Sequence, residues 1–97
     1  YLNTSEIIYL EASDKHCFIH LENKVIEYNK TMAKVVDTLP DRYFIKINRA
    51  FVINLNYISK YNNEFVSLSD NTELHISRNY LKYFKQEFIN FTKPRIP

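Results

Sequence analysis

The chain has 97 residues, 45% apolar and 25% charged, with a net charge of +2, the balance of one ordinary globular domain. It contains one cysteine and no glycine. That excludes an internal disulfide, and it excludes the phosphate loop GxxxxGK[ST], the dinucleotide fingerprint GxGxxG and the nucleophile elbow GxSxG, which all need glycine. No apolar run approaches the roughly 20 residues of a membrane span, and no signal-peptide pattern opens the chain. The lone thiol, Cys17, fits a reducing compartment, so the cytoplasm is the expected location. The chain opens on Tyr1, close to a strand, and reads as a domain of a longer protein.

Glu6 to Glu11 (EIIYLE) predicts a strand, with β-branched and aromatic residues. Ala12 to Lys15 is a polar turn. His16 to Glu22 alternates, placing Cys17, Ile19 and Leu21 on one face and Phe18 and His20 on the other. A turn at Glu22-Asn23 returns Lys24 to Tyr28 as a hairpin partner. From Lys30 the period changes: Met32, Val35, Val36 and Leu39 fall on one face of a helix, with Asn29 as N-cap and Pro40 as the stop.

Tyr43 to Asn48 and Phe51 to Ile53 predict two further strands. Tyr57 to Tyr61 and Glu64 to Leu68 follow, joined at Asn62-Asn63, and Asp70-Asn71 turns into Glu73 to Ile76. Without glycine, such turns fall to Asn and Asp, which tolerate positive φ. Ser77 is an N-cap candidate for a last helix over 78–90, with Leu81, Phe84, Phe88 and Phe91 as its apolar stripe. The domain is expected to span 1–92, leaving 93–97 as a tail. The expected architecture is many short strands, one central helix and one at the C-terminus.

Catalytic chemistry finds little support. His16 and Cys17 are neighbours in sequence but point to opposite faces of a strand, so Cys17 reads as core. His16 and His20 share a face, yet four residues of strand are about 13 Å, too far for one metal ion. His75, between Leu74 and Ile76, reads as a solvent-facing strand residue. No two carboxylates are paired in an apolar setting, as general acid–base work would prefer. No cofactor and no metal are expected.

Polar residues remain at three places where they are costly or conspicuous. Lys15-His16 closes a loop just before a strand. Lys46-Ile47-Asn48-Arg49 breaks an apolar stretch with an amide and a guanidinium. Arg78, after Ser77, sets a cation at the first position of a helix, against the dipole, and Lys82 lies one turn on. An anion at that helix start would offset the conflict. Arginine suits guanine edges and lysine suits phosphate. From the residues alone, plain turns and an anion-binding surface both stand, with nucleic acid the leading anion.

The spacing of IIYLEA (7–12), His16, TMAKVVDTL, YFIKINRAFVIN (43–54) and LHISRNYL (74–81) resembles the LytTR DNA-binding domain of bacterial response regulators, from about Glu6 to Phe88. The most specific parts are F-x-[RK]-x-[HN]-[RN]-[SA]-[FY]-x-[VI]-N and the Ser-Arg before the last helix. The resemblance implies a mainly β fold of short antiparallel sheets stacked side by side, about ten strands, that meets double-stranded DNA with loops. It implies His16 in the first contacting loop, Arg49 in the central one, Arg78 as a base reader and Asn79 at the phosphates. With them the DNA-binding set is His16, Arg49, Arg78, Asn79, Lys15, Asn48, Lys46 and Lys82. Many members carry His-Arg-Ser where this chain has Asn48-Arg49-Ala50: Ala50 lacks a hydroxyl, and Asn48 is neutral. A second copy on promoter repeats and an upstream receiver domain are further implications. The alternative reading is a protein-interaction or ligand-sensing β-module.

Overall fold

The computed structural model of the chain describes residues 3–40 and 43–93. Two antiparallel sheets and one long helix build the fold. The strands are β1 (Tyr9–Ser13), β2 (His16–His20), β3 (Val25–Tyr28), β4 (Phe44–Asn48), β5 (Phe51–Asn54), β6 (Ile58–Tyr61), β7 (Phe65–Leu68) and β8 (Glu73–His75). A short helix α1 (Met32–Val36) follows β3, and α2 (Arg78–Thr92) closes the domain. The first sheet has the order β3-β2-β1-β5-β4 and the second β6-β7-β8. The described residues thus hold eight strands, against an expected ten or so.

The glycine-free turns work as the composition requires. Among the described residues, Asp14 (φ 55°) and Asn71 (φ 71°) take the left-handed conformation. Asn62 Oδ1 accepts from the N–H groups of Glu64 and Phe65, both at 2.8 Å, and so closes the β6–β7 turn.

Several boundaries differ from the sequence expectation, each for a local reason. The first strand starts at Tyr9, because Asn3 Oδ1 accepts from Ser5 N–H at 3.0 Å and turns Thr4–Glu6 into a 3-10 helix. Helix α1 is capped by Thr31 rather than Asn29, and it ends at Val36, four residues before Pro40. There the Thr38 hydroxyl donates to Val35 C=O at 2.7 Å and diverts a carbonyl the helix would need. Tyr57 belongs to a second 3-10 helix, Leu55–Tyr57, begun by buried Asn54. Helix α2 runs to Thr92 instead of 90. Of the expected tail, residues 94–97 lie outside the described residues.

Two apolar clusters fill the molecule. Ile45, Ile47, Ile53, Val66, Leu68 and Phe84 pack between the two sheets and α2. Leu10, Cys17, Ile19, Met32, Val35, Phe44 and Val52 pack between the five-stranded sheet and α1. Strand alternation explains the division: Ile45 and Ile47 point to the α2 side, Phe44 to the α1 side. Burial pushes the Cys17 thiol above its ordinary 9.0, so it stays protonated as a core residue. The aromatic stripe of α2 stacks as its spacing predicts, Phe84 on Phe88 and Phe88 on Phe91, with Tyr61 edge-on to the first two. Phe91 remains exposed at the end of the stripe.

Candidate nucleic-acid interface

Three connections meet at one end of the five-stranded sheet. The β1–β2 turn, Asp14-Lys15, is closed by the Ser13–His16 pair. The β4–β5 turn, Arg49-Ala50, lies beside it, because β5 pairs with β1 from Glu11–Phe51 onward. Just beyond that pair, Ala12 N–H donates to Ala50 C=O at 2.7 Å and ties the first turn to the second.

The third connection, from β8 into α2, is tied in by a bulge. Lys46 pairs with Val52 and Asn48 with Phe51, so Ile47 is the extra residue in the β4–β5 ladder. Its carbonyl accepts from Ser77 N–H at 2.9 Å. Asn48 Nδ2 donates to His75 C=O at 2.7 Å, and Asn48 Oδ1 accepts from Ala50 N–H at 2.7 Å and Phe51 N–H at 3.0 Å. One amide thereby shapes the Arg49 turn and fastens it to the chain that leads into Arg78. Asn48 was a candidate contact by sequence; its amide hydrogen-bonds within the protein, with a donor and an acceptor both engaged.

The cations emerge around these ties. Lys15, Arg49, Arg78, Asn79 and Lys82 are exposed. Ser77 takes the extended backbone of an N-cap (φ −65°, ψ 142°), yet its hydroxyl makes no capping bond. The first-turn N–H groups therefore lack a side-chain cap, with Arg78 and Asn79 beside them and Lys82 one turn on, an arrangement suited to an anion. Lys46 is set apart: its cross-strand partner Val52 belongs to the α1-side cluster, so Lys46 lies on that face and is half-buried.

His16 starts β2, half-buried, with Nδ1 2.8 Å from Glu27 Oε2. The contact lies off the line of a hydrogen bond but becomes an ion pair when the imidazole is protonated. It leaves Nε2 for a partner outside. Sequence reasoning passed over Glu27, although the hairpin register carries the signal. Phe18 pairs with Glu27, so Glu27 and His16 share a face, diagonal to each other. His20 is occupied elsewhere, stacked on Tyr9 at 4.0 Å with Nε2 2.9 Å from Glu11 Oε1. Burial raises the Tyr9 hydroxyl above its ordinary 10.0, helped by Asp70 and Glu11 and opposed by a hydrogen bond to Thr72.

Asn54 was also missed as a structural residue. Fully buried, it donates to Ile7 C=O at 2.9 Å and accepts from Asn56 N–H at 2.9 Å, fixing the turn between the two sheets. Among the described residues there is no group of three or more His, Cys, Asp or Glu that could hold a metal ion, and no helix is long and apolar enough to cross a membrane.

Comparison with known proteins bears on the family and the fold. The chain is 29% identical over 90 residues to sensory transduction protein LytT of Bacillus subtilis, covering 88% of this chain and 37% of that protein. It is 30% identical over 93 residues to LytT of Enterococcus faecalis, covering 90% and 38%. The chain therefore spans less than two fifths of the length of these relatives. In structure it is similar to a LytTr DNA-binding domain from Bacillus cereus, with a TM-score of 0.79 at 24% identity, over 89% of this chain and 84% of that one. The sequence profile of the LytTr DNA-binding domain matches residues 1–89, and with that match the chain belongs to the LytTr DNA-binding domain family.

Proposed function

We propose that this domain binds double-stranded DNA sequence-specifically through the end of the five-stranded sheet, as the output domain of a bacterial transcription regulator in the cytoplasm. The observation that carries the reading is the stitching of three loops into one surface: Ala12 to Ala50, Ser77 to Ile47 and Asn48 to His75. Loops held by such hydrogen bonds present long cations with little further ordering on binding, which favours affinity.

Arg78 is the base reader, with a fork that fits guanine O6 and N7 in the major groove. Arg49 and His16 are the contacts of the neighbouring turns. Lys15, Asn79 and Lys82 meet phosphates, and Lys46 adds positive potential from the α1 side. Asn48 acts by holding Arg49, not by reaching the duplex. Neutralised phosphates release counterions, so affinity falls steeply with salt. A receiver domain in the longer protein supplies the signal, and two copies occupy paired repeats.

Selection from a random duplex pool, with affinity then measured at three salt concentrations, tests this. A recovered motif with guanines at two positions one helical turn apart, and a steep salt slope, is the expected result. No motif and salt-independent retention would instead favour a protein-interaction module.

A further inference from the structure

The other face of the same sheet holds a cavity that the DNA reading does not use. Its volume is about 860 Å³, and it lies between α1, β2, β3 and the first 3-10 helix. That is the size range of sites for small organic ligands, roughly 300–1,000 Å³. The floor is apolar: Ile7, Ile19 and Val35 line it and are 2%, 4% and 6% exposed. Among the described residues the rim carries Lys24, Lys30 and Lys34, all exposed, and the carboxylate of Asp37. Among the described residues no carboxylate pairs with any of the three ammonium groups.

An apolar pit under an excess of unpaired cations selects for a molecule with both characters. We infer that this cavity binds a small amphipathic anion, an apolar chain bearing a carboxylate or phosphate head, with the chain against Ile7, Ile19 and Val35 and the head among Lys24, Lys30 and Lys34. A neutral apolar molecule would leave the lysines without a partner, and a small inorganic anion would leave the floor wet. Strand β3 borders the cavity with Ile26 and Tyr28, while Glu27, between them, points to the opposite face and to His16.

The probe is laurate, titrated below its micelle concentration into the 97-residue chain and followed by backbone amide NMR. Saturable one-to-one binding is expected, with shifts confined to α1, β2 and β3. Removing two methylenes weakens it about tenfold, since each buried methylene contributes roughly 3- to 4-fold. Dodecanol binds at least tenfold more weakly than laurate, and so does laurate to the surface variant Lys30→Gln/Lys34→Gln. Thr4→Trp, at a half-buried lining position, fills the cavity and abolishes binding while the amide spectrum elsewhere stays native.

No saturable binding would overturn the inference, as would laurate binding that survives both variants. Binding to anionic lipid vesicles but not to monomeric laurate would also overturn it, because a charged surface and not the cavity would then be the site. Each result is read without DNA, so it stands or falls apart from the DNA-binding reading.

Discussion

The Asn48-Arg49 turn and the Ser77-Arg78 helix start look alike in sequence: a small polar residue, then an arginine. The structure builds them in opposite ways. Asn48 spends its side chain on three hydrogen bonds within the protein. Ser77 spends none on capping, and its part in the scaffold is its backbone N–H, held by Ile47 C=O. Arg49 is thus presented by a turn whose Ala50 and Phe51 N–H groups are paired, and Arg78 by a helix end left without a side-chain cap. The two connections that carry the arginines are tied together because the bulge at Ile47 frees the carbonyl that accepts from Ser77 N–H.

Substitutions can break this contrast, beginning with the amide. Asn48→Ala leaves two N–H groups and the His75 carbonyl unpaired at a half-buried site. We expect a loss of about 2 kcal/mol in urea unfolding, with weaker DNA binding alongside. Asn48→Asp keeps the acceptor for Ala50 and Phe51 and should lose less; equal losses would mean that the bond to His75 dominates.

Arg78→Ala should cost about 1–3 kcal/mol of specific DNA binding and relax base preference at one position, measured by competition with mutated sites. Unchanged affinity for the selected site would remove Arg78 as the base reader. Arg49→Ala should weaken DNA binding with the melting temperature unchanged, because Asn48 and not Arg49 holds the turn. A drop in melting temperature alone would assign Arg49 to structure.

Lys82→Ala should lower affinity for all sequences alike and reduce the slope of log affinity against log salt by about one unit. A slope that does not move takes Lys82 out of the phosphate set. The smallest effect is expected at Ser77→Ala. A working serine cap contributes about 1 kcal/mol. Because Ser77 makes no capping bond, thermal unfolding should register less than about 0.5 kcal/mol; a full unit would restore its hydroxyl as a cap.

Hairpins and the long helix were legible in the sequence because their signals are local. Alternation at Cys17, Ile19 and Leu21 placed the core face of β2, and the stripe Leu81, Phe84, Phe88 placed that of α2. Boundaries at Tyr9 and Val36 were not, because Asn3 and Thr38 redirect backbone groups through bonds that the apolar period does not register. At the candidate interface, the cations could be named from their misfit with the surrounding strands. Glu27, across a hairpin from His16, needed the register as well.

By itself the sequence determined the class of the molecule. Lacking glycine, it excludes phosphate loops and sets Asp14 and Asn71 at positive φ, since they are among the few side chains that tolerate it. The period of its apolar residues determined sheet and helix, and the block from Phe44 to Asn54 carried the family. Only the tertiary structure decided that the Asn48 amide bonds to Ala50, Phe51 and His75, that Lys46 stands on the α1 face, and that three lysines share the rim of a cavity. Those facts depend on which backbone groups remain unpaired once the strands have paired, and on which residues distant in sequence come to face each other. Side-chain period reports one face of one element; hydrogen bonds between elements are fixed only when register, bulge and packing are all in place.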